Sequence, residues 1–263
     1  FAAAEAGKLP RLLEWTDLRG SLHNHSNWSD GHETLEQIAA HAEELGLSYW
    51  AITDHSRASF QANGLSPERL RDQLKAIAEV NKKLADSGSD FRLLTGTEVD
   101  ILEDGSLDYK DELLAGFDYV VASVHSLFNM AEADMTARVC KALAHPAVTM
   151  LGHATGRLLL KREGYKINLD EVLKAAAKHG KMIEINAQPS RLDLDWKYVK
   201  RAKALGIPIV INPDAHSTGE LSLYTFGVNV ARRGWLTKGD VFNTRPLSEV
   251  TQELARRKQQ AVP

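Results

Sequence analysis

The chain has 263 residues, 43% hydrophobic and 25% charged, with a formal net charge of −3 and a single cysteine. This is enough chain to bury a large core, and the balance of apolar and charged residues excludes a disordered or fibrous protein. The mild acidity excludes a general polyanion binder, and the lone cysteine excludes an internal disulfide; no apolar run is long enough for a helical membrane span and no signal-peptide pattern is present.

A cytoplasmic location is the default expectation. The chain opens on Phe1 instead of methionine, which reads as the interior of a longer protein. Apolar, often β-branched segments then alternate with amphipathic ones. RGSLHNH (19–25) predicts a strand, and Thr34 caps a helix over 34–45. SYWAITDH (48–55) is the next strand, and Ser66-Pro67 opens a helix over 67–86. RLLTGTEV (92–99) follows as a strand, and EDGS (103–106) interrupts the rhythm as a hairpin turn. YVVASVH (119–125) precedes a helix over 131–144, in which Cys140 takes a packing position. AVTMLGH (147–153), a helix over 168–179 capped by Asn168, KMIEIN (181–186), a helix over 195–205 and IPIVINPDAH (207–216) complete the series. Basic residues gather at 156–166, 231–234 and 253–260, the last read as a solvated helix face. No linker, repeat or low-complexity segment divides the chain. Seven strands in βα alternation predict an α/β fold with a parallel sheet closed into a barrel, in preference to an open doubly wound sheet.

The placement of histidine points to chemistry. Of ten histidines, His23, His25, His55, His125, His153 and His216 fall at strand ends, while His32, His41, His145 and His179 do not. Side chains two apart in an extended segment point the same way, so His23 pairs with His25 and Asp214 with His216. If the first and last strands meet in a closing barrel, these pairs converge, with Glu98, His125 and His153 filling the rim between them. Asp30, in the turn-forming Asp30-Gly31, lies just beyond; His32 follows closely enough to reach the same rim. One tetrahedral ion needs three or four ligands, so this donor set predicts two or three metals. Nitrogen and oxygen donors without thiolate suit Mn or Zn, or Fe. Paired divalent ions can activate water and clamp a phosphate, the usual device for phosphoester hydrolysis. No Ser-His-Asp or Cys-His nucleophile is evident.

HNHSNWSDG, AITDHS, TGTEVDI, ASVHS, GHATG and NPDAHS, in that order, resemble the ordered motifs of the PHP (polymerase and histidinol phosphatase) superfamily. The resemblance implies a distorted seven-stranded (βα)7 TIM-like barrel with a trinuclear metal site at the C-terminal rim of its strands. By matched position, His23, His25, Glu98 and Asp214 would hold the first ion and carry the catalytic role. Glu98 would bridge to a second held by His125 and His153, and Asp30, His55 and His216 would hold the third. Residues 9–25, 52–70, 158–196 and 232–250 are more specifically similar to the C-terminal PHP domain of bacterial family X DNA polymerases. That likeness implies a linker at 1–17 from a covalently attached polymerase and DNA-binding module, and a PHP domain at 18–263. It implies a Mn- or Zn-dependent 3′–5′ exonuclease or 3′-end-processing activity on DNA in repair. The alternatives are a phosphomonoesterase of the histidinol-phosphate type and a metal-stabilised structural module. Arg157 and Arg191, a few residues beyond the rim in GHATGR and NAQPSR, are candidate phosphate clamps; Lys161 and Arg162 are candidates for the nucleic-acid backbone.

Overall fold

A computed structural model describes residues 2–261. Its strands are β1 (Gly20–Ser21), β2 (Tyr49–Ile52), β3 (Arg92–Asp100), β4 (Tyr119–Ser123), β5 (Met150–Leu151), β6 (Met182–Asn186) and β7 (Ile209–Asn212). They form one parallel sheet in sequential order. Around it run α1 (Ala2–Glu5), α2 (Leu35–Glu44), α3 (Pro67–Asp86), α4 (Asp111–Leu114), α5 (Glu132–Ala144), α6 (Leu169–Lys178), α7 (Trp196–Ala204), α8 (Tyr224–Arg233) and α9 (Leu247–Ala261). The architecture is a distorted seven-stranded (βα) barrel. The helix starts follow local chemistry: Thr34 and Gln37 form a reciprocal capping box, Ser66 caps α3 ahead of Pro67, and Asn168 caps α6. The EDGS hairpin is also present, with Ile101 bridging Leu107 across Gly105 at φ 80°.

Strand alternation divides the apolar residues in two. Trp50 and Ile52 face the surrounding helices, whereas Tyr49, Ala51, Leu94, Tyr119, Val121, Met150, Met182 and Val210 fill the barrel. The lower end is closed by Phe242, Val250 and Leu254. α8 was not among the helix candidates, and α9 was expected only as the helix face at 253–260, because both lie beyond the last βα repeat. The 253–260 segment, expected to be a solvated face, belongs to α9, which also buries Val250 and Leu254 in the plug. Ordered packing begins before residue 18: Leu13 is fully buried, and its N–H donates to the Leu236 carbonyl at 3.0 Å. Among the described residues no helix is long and apolar enough to cross a membrane.

β1 and β5 span two residues each, far shorter than the segments expected at 19–25 and 147–153. The β1–β7 seam is closed largely by side chains. Oδ1 of Asn212 accepts from the Leu22 N–H at 2.8 Å, and the His25 N–H donates to the Ala215 carbonyl at 2.9 Å. Below them the buried Asn243 amide donates to the carbonyls of Gly20 (2.8 Å) and Ile211 (2.7 Å) and accepts from the Ile211 N–H (3.1 Å). Replacing Asn243 with Ala strands two buried carbonyls and an N–H. We expect a loss of about 2–4 kcal/mol in equilibrium urea unfolding. A loss under about 1 kcal/mol would show that the seam is held by other contacts.

Candidate metal centre

Inward parity on β3, β4, β6 and β7 turns polar above the apolar fill. In register with Leu94, Tyr119, Met182 and Val210 come Glu98, His125, Glu184 and Asp214. His153 and Asp214 sit at φ 20° and 52°, a left-handed backbone that costs free energy in non-glycine residues. Gly152 leaves room beside them, since a Cβ there would lie 2.5 Å from Ser123 Oγ and 3.3 Å from His23 Cε1.

Glu98 is the hub. Its Oε1 lies 3.2 Å from His23 Nε2, 3.3 Å from His125 Nε2 and 2.9 Å from His153 Nε2. Its Oε2 lies 3.0 Å from His55 Nδ1 and 3.6 Å from His25 Nε2. Asp214 Oδ1 stands 3.1 Å from His25 Nε2 and 3.7 Å from His23 Nε2. Asp30 Oδ2 stands 3.6 Å from His55 Nε2 and 3.4 Å from His216 Nε2. Ligands 2.0–2.1 Å from a tetrahedral ion are separated by roughly 3.3 Å, which is the spacing seen. Both Glu98 oxygens, His23 Nε2 and His25 Nδ1 are buried without a hydrogen-bond partner. Buried carboxylate oxygens that no N–H or O–H satisfies fit a cation, and the thiolate-free donors suit a hard or borderline divalent ion.

All nine expected donors therefore converge. They form four groups whose donor atoms lie within 4.8 Å of one another: His23, His25 and Asp214; His23, Glu98 and His153; His55, Glu98 and His125; and His25, Asp30, His55 and His216. The grouping differs from the expected sets. Glu98 is not in the group of His23, His25 and Asp214; His125 and His153 fall in separate groups that share Glu98 and take in His55 and His23 respectively; and His25 joins the Asp30 group. An imidazole has two nitrogens, and sequence spacing does not say which faces a neighbour. The other histidines stay outside: His32 is exposed, His41 and His145 pair with Glu44 and Asp111, and His179 ends α6.

The charges are coupled. Burial alone would hold His125 neutral, but Glu98 and Asp100 raise it to about 10, and Asp30 and Asp214 overcome the burial of His216 to raise it to about 9. The carboxylates of Glu184, Glu98 and Asp214 carry His23 well above the imidazole range in the same way, against its burial. Burial, with His55 and His216 adding repulsion, lowers His25 to about 3. Burial also favours protonated Glu98 and Asp214, yet the surrounding histidines hold both well below the usual carboxylate range.

Two carboxylates that the sequence reading passed over support the histidines. Glu184, fully buried, lies 2.8 Å from His23 Nδ1 and accepts from the His153 N–H (2.8 Å) and Asn212 Nδ2 (2.9 Å). Asp100 lies 2.5 Å from His125 Nδ1 and accepts from Ser59 Oγ at 2.9 Å. A carboxylate on Nδ1 fixes the tautomer that leaves Nε2 free toward Glu98. The available signal was an acidic residue inside the apolar run MIEIN.

Of the proposed phosphate contacts, Arg191 reaches the centre. Its Nε is 3.7 Å from Asp214 Oδ2, and its Nη1 is buried without a partner. Arg157 is engaged elsewhere: it donates to the carbonyls of Arg191 (2.9 Å) and Leu192, and so holds the loop that carries Arg191. Arg162 lies over the Phe128 ring at 4.2 Å, and Lys161 is exposed.

With this geometry stand the comparisons. A family model described as the PHP domain matches residues 21–188. The chain belongs to the PHP family. The DNA polymerase/3′-5′ exonuclease PolX of Bacillus subtilis (strain 168) is 42% identical over 93% of this chain, and the chain spans 42% of that relative's length. A probable phosphatase of Thermoanaerobacter sp. (strain X514) is 27% identical over 82% of this chain and 86% of its own. Among solved structures, histidinol phosphate phosphatase of Lactococcus lactis, complexed with Zn, L-histidinol and phosphate, superposes with a TM-score of 0.61. At 20% identity, covering 83% of this PHP chain and 95% of that one, it shows the shared fold.

A divalent ion must displace the protons on His23, His125 and His216, whose raised values keep them protonated at neutral pH. Zn²⁺ or Mn²⁺ uptake at pH 7 should therefore release protons into weak buffer, and affinity should strengthen from pH 6 to pH 8. An affinity indifferent to pH would contradict histidine ligation. Glu184→Gln places an amide N–H where His23 Nδ1 donates, and should weaken metal retention by about tenfold or more with unchanged far-ultraviolet circular dichroism. Equal retention would mean that Glu184 is only structural.

Proposed function

We propose that this PHP domain is a divalent-metal-dependent phosphodiesterase that removes nucleotides from DNA 3′ ends, a 3′–5′ exonuclease or 3′-end-processing activity serving repair synthesis. The observation that carries the reading is the completeness of the donor set: nine competent residues converge, and both oxygens of the buried Glu98 lack a hydrogen-bond partner. His23, His25, Glu98 and Asp214 form its catalytic centre, and two to three ions of Mn or Zn, or Fe, are its cofactors. Bound ions supply an activated water and neutralise charge on the leaving oxygen. The chain's own part is to hold the donors at fixed spacing, to set their tautomers through Glu184 and Asp100, and to offer Arg191 to a phosphate oxygen. Lys161 and Arg162 extend this contact along the backbone of the substrate, and Arg157 supports Arg191.

Kinship with PolX over 93% of the chain supports DNA as the substrate, with polymerase and DNA-binding modules as covalent partners in the longer protein and a cytoplasmic setting. A net charge of −3 makes such partners useful, since the domain has little general attraction for a phosphate backbone. The second reading is a phosphomonoesterase of the histidinol-phosphate type, favoured by the likeness of fold and by the relatives named as phosphatases. A purely structural module fits less well, because a donor set released from catalysis has no reason to stay complete.

The test is direct. Chain reconstituted with metal should hold two to three ions by elemental analysis and, with Mn²⁺, slowly shorten a single-stranded oligonucleotide from its 3′ end; chelation should stop it. Asp214→Ala should lower the rate by about a hundredfold or more with the fold retained, and Arg191→Ala should raise KM about tenfold without loss of metal. Efficient hydrolysis of histidinol phosphate with oligonucleotides left intact would replace this reading with the second.

A further inference from the structure

The donor set accounts for the floor of the site but not for the loops above it. Several large apolar residues at the rim face solvent. Phe60, on the loop after β2, is 89% exposed; Leu127, after β4, is 47% exposed; Leu160, after β5, is completely exposed at 107%. Leu127 and Leu160 hold φ values of 58° and 63°, a conformation disfavoured for bulky side chains. Exposed leucines kept in strained backbone need a reason outside the core.

These loops are joined. Ser59, next to Phe60, donates to Asp100 and lies 3.2 Å from His125 Nδ1, and Leu127 follows His125 by two residues. Arg162 crosses to the Phe128 ring, and the Leu159 N–H donates to the Ser190 carbonyl at 2.5 Å, beside Arg191. These contacts link the loops after β2, β4, β5 and β6, which together carry the exposed apolar side chains, Lys161, Arg162 and the inward Arg191. An exposed aromatic ring and apolar side chains among cations complement one common polymer, an unpaired nucleic-acid strand: a base can stack on Phe60 and others pack against the leucines while phosphates meet the guanidinium and ammonium groups. A small phosphomonoester would need only the ions and Arg191.

Resting on the phosphodiesterase reading, we infer that Phe60, Leu127 and Leu160, with Lys161 and Arg162, form a wall that seats the last unpaired nucleotides of a single strand and feeds its end to the metal centre. Specificity for unpaired over duplex ends resides in this wall, because successive bases held in a duplex stack are not free to turn onto separate side chains.

The experiment compares two substrates on the same metal-loaded protein, single-stranded oligo(dT) and bis(p-nitrophenyl) phosphate. In the double variant Phe60→Ala, Leu160→Ser, the KM for oligo(dT) should rise about tenfold or more, while turnover of the small diester stays within about twofold. An unchanged KM for oligo(dT) would overturn the wall. Tryptophan emission of Phe60→Trp, read in Ca²⁺, gives a test independent of turnover: oligo(dT) should quench the added emission more strongly than a blunt oligo(dA)·oligo(dT) duplex does. Quenching without cleavage by the wild-type chain would sink the exonuclease reading and keep the wall. No quenching by oligo(dT), or quenching by a phosphotyrosine peptide instead, would sink the wall itself.

Discussion

Everything at the rim depends on closing a parallel barrel at a seam where regular hydrogen bonding nearly runs out. β1 contributes two ladder residues, and no regular strand pairing joins it to β7 among the described residues. Asn212 and Asn243 supply the missing donors and acceptors, and a single bridge between Asn24 and Ala215 finishes the closure. An amide side chain can donate and accept at once, so it can splice two edges that are out of register. The splice sets His23 and His25 against Asp214 and His216. Without it the first and last donor pairs would belong to opposite edges of an open sheet.

The second constraint is electrostatic. Glu98 is 1% exposed, and an isolated buried carboxylate would take up a proton. Histidines instead surround it, and the protons on His23, His125 and His216 balance the carboxylates. The cluster is compact for the same reason that it fits cations: both Glu98 oxygens face imidazole nitrogens at ligand spacing. Glu184 and Asp100 complete the arrangement from behind by holding the Nδ1 atoms.

The apolar fill and the polar floor are built from the same strands, whereas the rim wall comes from the loops. Met182 and Glu184 share one face of β6, so the plug of Phe242, Val250 and Leu254 supports the centre through a rigid column of side chains. The loop after β5 is held from both sides, by Arg162 on Phe128 and by Leu159 on Ser190. A site divided in this way can keep its metal chemistry while loop substitutions change what reaches it.

Much of this was legible in the chain. The His23–His25 and Asp214–His216 spacings, the histidines at strand ends, the caps at Thr34, Ser66 and Asn168 and the EDGS hairpin are local patterns, and local patterns follow from the geometry of strand, helix and turn. α8 and α9 were less visible because they follow the last repeat, and the burial of α9 under the barrel is a long-range contact that periodicity does not report. Glu184 read as an oddity in an apolar strand, and Arg157 read like Arg191. Only the folded chain separates them, turning one guanidinium onto backbone carbonyls and the other toward Asp214. The sequence by itself determined which residue types reach the rim. Tertiary structure decided which nitrogen of each histidine faces which oxygen, because that choice depends on partners such as Glu184, 161 positions away from His23, which only the closed barrel brings within 2.8 Å.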